Sequence, residues 1–78
     1  MDVSNLIRMA NRIGEFFVSI PDREEALEGI ALHIQKFWDP RMRLRLLDAL
    51  SDEQQAQQLL PLVLESLQLH EQQLRPKP

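Results

Sequence analysis

Val3-Ser4-Asn5-Leu6-Ile7-Arg8-Met9-Ala10-Asn11-Arg12-Ile13-Gly14-Glu15-Phe16-Phe17-Val18, near the start of a 78-residue chain, decides the fold class. On a wheel turning about 100° per residue, Val3, Leu6, Ile7, Met9, Ala10, Ile13, Gly14, Phe16 and Phe17 fall in one arc. Ser4, Asn5, Arg8, Asn11, Arg12 and Glu15 fill the rest with no apolar intruder. That segregation predicts an amphipathic helix over 3–18. Its apolar arc covers about half the wheel, more than the ~100° stripe one neighbour covers. The helix therefore sits centrally or shows one flank to a partner.

Outward from this helix, each boundary carries capping chemistry. Ile20-Pro21-Asp22 closes it and opens a second helix over 23–38, with Asp22 and Glu25 spaced as a capping box. Ala26, Leu27, Ile30, Ala31, Ile34, Phe37 and Trp38 share one face of that helix. Gly29 lies off this face and weakens the helix by about 1 kcal/mol relative to Ala, so close approach of another backbone is expected there. Asp39-Pro40 opens a third helix over 40–50, because proline suits the first helical position and Asp39 can cap it. Ser51-Asp52-Glu53-Gln54 reads as a further capping box before a short polar helix. Pro61 begins a last helix over 61–74, with Leu60, Val63, Leu64, Leu67 and Leu74 along its seam. The expected fold is all-α, a small bundle of four to five short helices. Residues 1–74 form a single helical domain, and residues 75–78, Arg75-Pro76-Lys77-Pro78, a flexible tail.

Composition narrows the function classes. Two glycines, no tyrosine and no cysteine exclude disulfides and thiolate metal sites and leave little material for turn-rich sheets. Apolar residues at 44% exclude a disordered chain. The longest apolar run, Leu59-Leu60-Pro61-Leu62-Val63-Leu64, is far short of the ~20 residues that cross a bilayer. Met1-Asp2-Val3-Ser4-Asn5 lacks the basic start and apolar stretch of a signal peptide. A soluble, cytoplasmic chain is the expectation. The net charge of −3 leaves neither half with a basic face for phosphate contacts, so no nucleic-acid partner is expected.

No catalytic constellation emerges. His33 and His70 form no His-x-x-x-His pair and neither follows a glutamate at Glu-x-x-His spacing. Both read as packed or boundary histidines. No glycine-rich phosphate loop is present, since the two glycines stand fifteen residues apart. Trp38-Asp39-Pro40-Arg41-Met42-Arg43 is the segment that stands out. Its plain reading is a capped helix start with a solvated arginine face. Arg43, however, falls between Leu50 and Leu47 on the wheel, so it snorkels outward or meets a carboxylate or carbonyl of something else. Trp and Arg are also the residues most enriched at binding hot spots. Leu32, Leu44, Leu62 and Leu69 lie off the seams of their helices, which suggests apolar patches covered in the working state.

Three blocks carry a family resemblance. They are Arg8-Met9-Ala10-Asn11-Arg12-Ile13-Gly14-Glu15-Phe16-Phe17, then Pro21-Asp22-Arg23-Glu24-Glu25-Ala26 with Gly29-Ile30-Ala31-Leu32-His33, and Phe37-Trp38-Asp39-Pro40-Arg41-Met42-Arg43. Together they resemble the delta subunit of the soluble, NAD-dependent, molybdenum-containing formate dehydrogenases. The resemblance is dense over about residues 3–47 and continues thinly through Leu60-Pro61-Leu62-Val63. Family members usually carry a shorter, glycine-containing segment before that element, where this chain has Glu53-Gln54-Gln55-Ala56-Gln57-Gln58.

The resemblance implies an accessory subunit without a cofactor of its own. Its partners would be the catalytic alpha subunit, holding the molybdenum cofactor and iron–sulfur clusters, and the beta and gamma subunits, which pass electrons through further clusters and FMN to NAD. The expected contact surface centres on Trp38, Arg41 and Arg43, with Arg8, Asn11 and Arg12 contributing from the first helix. Alternatives are a free-standing adaptor or cofactor-insertion chaperone not retained in the mature enzyme, and a helix-turn-helix-like regulator using Arg41, Arg43 and Arg45. Homodimerisation through the leucine stripes is a further expectation for the isolated chain.

Overall fold

Local capping chemistry sets where each helix begins. In the computed structural model, which describes residues 1–77, Asp2 accepts from the Ser4 amide (3.0 Å) and starts α1, Val3–Phe17. Asp22 accepts from the amides of Glu24 and Glu25 at the head of α2, Arg23–Phe37. Asp39 accepts from the Met42 amide (3.0 Å) at the head of α3, Pro40–Asp48, with Pro40 in the first turn. Each cap satisfies one or two of the amides that a helix start leaves without partners.

Three boundaries differ from the sequence reading. The third helix tightens into a 3-10 turn at Ala49–Ser51 instead of continuing to residue 50. The cap of the short α4, Glu53–Ala56, is Asp52, which accepts from the Gln54 and Gln55 amides. Ser51 does not cap it, because its hydroxyl donates back to the Asp48 carbonyl (2.9 Å). The last helix is two: α5, Pro61–Leu69, and α6, Glu71–Leu74, broken at His70 (φ −110°, ψ 24°). α6 packs on α2, α3 and α5, and Leu74 is fully buried there.

The architecture is all-α, with six helices and no strand among the described residues. α1 is central, packing on α2, α3 and α5, while α2 packs on α1, α5 and α6. Ile30, Ile34, Leu46, Val63, Leu67 and Leu74 are fully buried and form the centre of the core. Gly14 lets α1 meet α5 at short range, since a Cβ at that position would overlap the Val63 Cγ2 methyl. Ser66 is the one fully buried polar residue among those described, and its hydroxyl donates to the Leu27 carbonyl (2.7 Å), joining α5 to α2. The radius of gyration is 11.3 Å, against about 11.5 Å expected for a compact chain of this length. Among the described residues, no helix is long and apolar enough to cross a membrane.

Arg75 is tied back to Glu71 through its guanidinium (2.7 Å), while Pro78 of the expected tail lies outside the described residues.

Candidate functional site

The six residues expected to meet a partner divide into two groups. Trp38 is 6% exposed and belongs to the core, so its ring is not displayed. Helix periodicity alone put Trp38 and Phe37 on one face; the break at Asp39-Pro40 sends them apart, Trp38 inward and Phe37 outward. Asn11 is half-buried and used internally. Its amide donates to the Gln58 carbonyl and its oxygen accepts from the Leu60 amide, both at 2.9 Å. It thereby fastens α1 to the segment between α4 and α5 and satisfies an amide at the head of α5, where no side chain of the helix's own N-cap residue does so. Arg43 is also half-buried, and its Nη1 donates to the Gln35 carbonyl (3.0 Å) in the last turn of α2. The carbonyl its position on the wheel asked for is thus one of this chain's own. Its Nε is buried without a hydrogen-bond partner.

Arg8, Arg12 and Arg41 are exposed. Arg8 donates to the Asn5 side-chain oxygen (3.3 Å), and none of the three joins an ion pair among the described residues. Arg45 and Asp48, spaced to pair, form no such pair there either.

A second surface was hidden from the wheel. Phe16 and Phe37 are 70% and 71% exposed, and Leu32 joins them on the outside. Phe16 meets the half-buried Phe17 edge to face at a centroid separation of 5.1 Å. The exposed His33 lies against Phe37 at a centroid separation of 4.8 Å with the rings tilted by 46°, so it belongs to this surface. Phe17 lies across Gly29, where its ring fills the space a Cβ would take. The close approach expected at Gly29 is therefore an aromatic ring and not a backbone. The signals in the sequence were the excess width of the first helix's apolar arc and the off-seam position of Leu32.

Three shallow depressions of about 310–340 Å³ line this surface and share walls. The first is bounded by Ile13, Phe16, Phe17 and His33. The next shares Phe17 and His33 with it and extends to Leu32, Lys36 and Phe37. The last shares Gly29 and Leu32 and reaches Glu25, Glu28 and Gln73. It also touches His70, whose Nε2 is buried without a hydrogen-bond partner. The result is one open, largely apolar surface along α2, with Lys36 at its middle depression and Glu25 and Glu28 at one end. The described residues contain no group of three or more His, Asp or Glu placed to hold a metal ion.

Comparison with known families gives one result. The family model described as NADH-dependent formate dehydrogenase delta subunit FdsD matches residues 5–67. No curated protein and no solved structure matches the chain.

Proposed function

Because the chain belongs to the family of delta subunits of NADH-dependent formate dehydrogenase, we propose that it is a non-catalytic accessory subunit docking on the catalytic alpha subunit. In this reading it supports assembly or stability of the holoenzyme in the cytoplasm. The molybdenum cofactor, iron–sulfur clusters and FMN then reside in partner subunits, and NAD is used there.

The observation that carries the reading is the surface of the chain itself. Two phenylalanines and three leucines, Phe16, Phe37, Leu32, Leu44 and Leu69, stand exposed on a protein with room for only one small core. Single exposed leucines are ordinary, but clustered aromatics on so small a surface mark an interaction site. The mechanism is mass action. A chain that binds only the assembled state stabilises it by RT ln(1 + [L]/Kd), ~2.7 kcal/mol at a hundredfold excess over Kd. Arg8, Arg12 and Arg41, exposed and in no ion pair among the described residues, add charge to the contact.

The test is co-expression of the other subunits with and without this chain, followed by size-exclusion chromatography and thermal inactivation of formate oxidation. A permanent subunit co-elutes at fixed stoichiometry, and its omission lowers the yield of assembled enzyme or its thermal half-life. Equal yield and half-life without the chain would refute the role. Elution of a complete, active enzyme free of it would assign the chain to the class of assembly factors that are not retained.

A further inference from the structure

We infer that residues 52–59, which include the short α4, form a strap that opens while the remaining helices stay packed, and that Asn11 is the latch holding it closed. The strap is a property of this chain alone and does not depend on the accessory-subunit reading.

Three observations carry it. The strap owes little to burial: α4 contains no buried residue, and its main neighbour is the 3-10 turn that precedes it. Of residues 52–59 only Leu59 is buried, while Gln55 and Ala56 are half-buried. Its own hydrogen bonds are local. Ala56 donates to the Asp52 carbonyl, Gln57 to the Glu53 carbonyl and Leu59 to the Ala56 carbonyl, all within four residues. Glu53 joins no ion pair among the described residues. The long-range tie is Asn11. Its amide donates to the Gln58 carbonyl and its oxygen accepts from the Leu60 amide, so one side chain grips the backbone on both sides of Leu59.

A unit closed by one buried side chain and one two-pronged clamp opens more easily than α2 or α5, which carry buried residues along their length. Asn11 fixes the peptide groups that flank Leu59, and with them the path by which that side chain enters the core. Losing the clamp frees a carbonyl and an amide and loosens the anchor between them. Both ends of the strap leave helical geometry, at Asp52 (φ −102°, ψ 110°) and next to it at Leu60 (φ −58°, ψ 143°), so a swing there need not unwind a long helix. The open form lays bare Asn11 and the apolar seat of Leu59.

Native-state hydrogen exchange of the full chain, followed by NMR in low urea, tests the strap. The Leu60 amide should be about tenfold or more less protected than those of Ile34 and Leu67. It should also respond little to urea, because a local opening exposes little surface. Equal protection with equal urea dependence would overturn the strap, since it would then open only with the whole fold. Ser66→Ala removes the buried bond from α5 to the Leu27 carbonyl. It should speed exchange at Ile34 and Leu67 and leave Leu60 within about twofold of wild type; a matching rise at Leu60 also overturns local opening. Asn11→Ala should speed exchange at the Leu59 amide, and thermolysin cleavage beside Leu59, about tenfold for two lost hydrogen bonds, with a smaller change at Leu67. Changes of equal size at Leu59 and Leu67 would remove Asn11 as the latch. Asn11→Asp keeps the acceptor for Leu60 and drops the donor to Gln58, a milder change that serves where Asn11→Ala does not fold. It should speed Leu59 several-fold, and no change there equally removes the latch.

Discussion

The two glycines are alike in composition and differ in what surrounds them. At Gly14 a methyl group would overlap Val63, a fully buried branched side chain of α5 held on every side by core residues. At Gly29 the obstacle is the ring of Phe17, half-exposed and free to swing outward. Alanine gains about 1 kcal/mol of helix propensity over glycine at both sites. Overpacking a filled core costs about 1–3 kcal/mol. Gly14→Ala is therefore expected to destabilise the fold, whereas Gly29→Ala should be near neutral or stabilising, as read by urea unfolding. An equal loss from the two substitutions would mean that Phe17 is as confined as Val63. Gly29→Ala has a further consequence outside, since the displaced ring roughens the apolar surface along α2.

At the scale of elements, four aspartates start four helices. Asp2, Asp22, Asp39 and Asp52 each accept backbone amides of the following turn. Each stands in the sequence just before a run of helical period, so these starts were legible without coordinates, even where Ser51 competed with Asp52 for the role. Helix ends were less legible. The break at His70 has no proline or glycine to announce it; it follows from packing, with α6 lying against both α2 and α3. Asp39 carries the sharpest expectation because two helices depend on the corner it makes. Asp39→Ala should cost about 1 kcal/mol through the lost cap, lowering the urea midpoint without changing the slope of the transition. A changed slope would show instead that the corner between α2 and α3 opens in the native state.

At the scale of the whole molecule, Trp38 and Phe37 are neighbours in sequence with opposite duties. Trp38 is in the core, and truncating a buried aromatic costs about 3–5 kcal/mol. A single core of this size supplies roughly the same amount. Trp38→Ala is therefore expected to leave the isolated chain largely unfolded at 25 °C, with loss of cooperative melting by circular dichroism. A sharp melt retained in that variant would show that the ring is dispensable to the core. Phe37→Ser should melt close to wild type, so failure of Trp38→Ala to bind a partner would report folding, while failure of Phe37→Ser would report contact. The sequence by itself determined the helical class, the caps at Asp22 and Asp39, the amphipathic division of α1 and the family, because these depend on residues within a few turns of one another. It also placed Arg8 and Arg12 on the polar arc of the first helix and Arg41 in the first turn of the third, as cations for a partner contact. Tertiary structure alone decided that Trp38 turns inward, that Asn11 and Arg43 are engaged at home, and that Phe16, Phe37 and His33 build an open surface. Periodicity marks a face as apolar, but only the number and angle of neighbouring helices decide how much of that face is covered. With α1 already packed on three helices and α2 on three, the far edges of their apolar arcs meet each other and find no further helix to cover them.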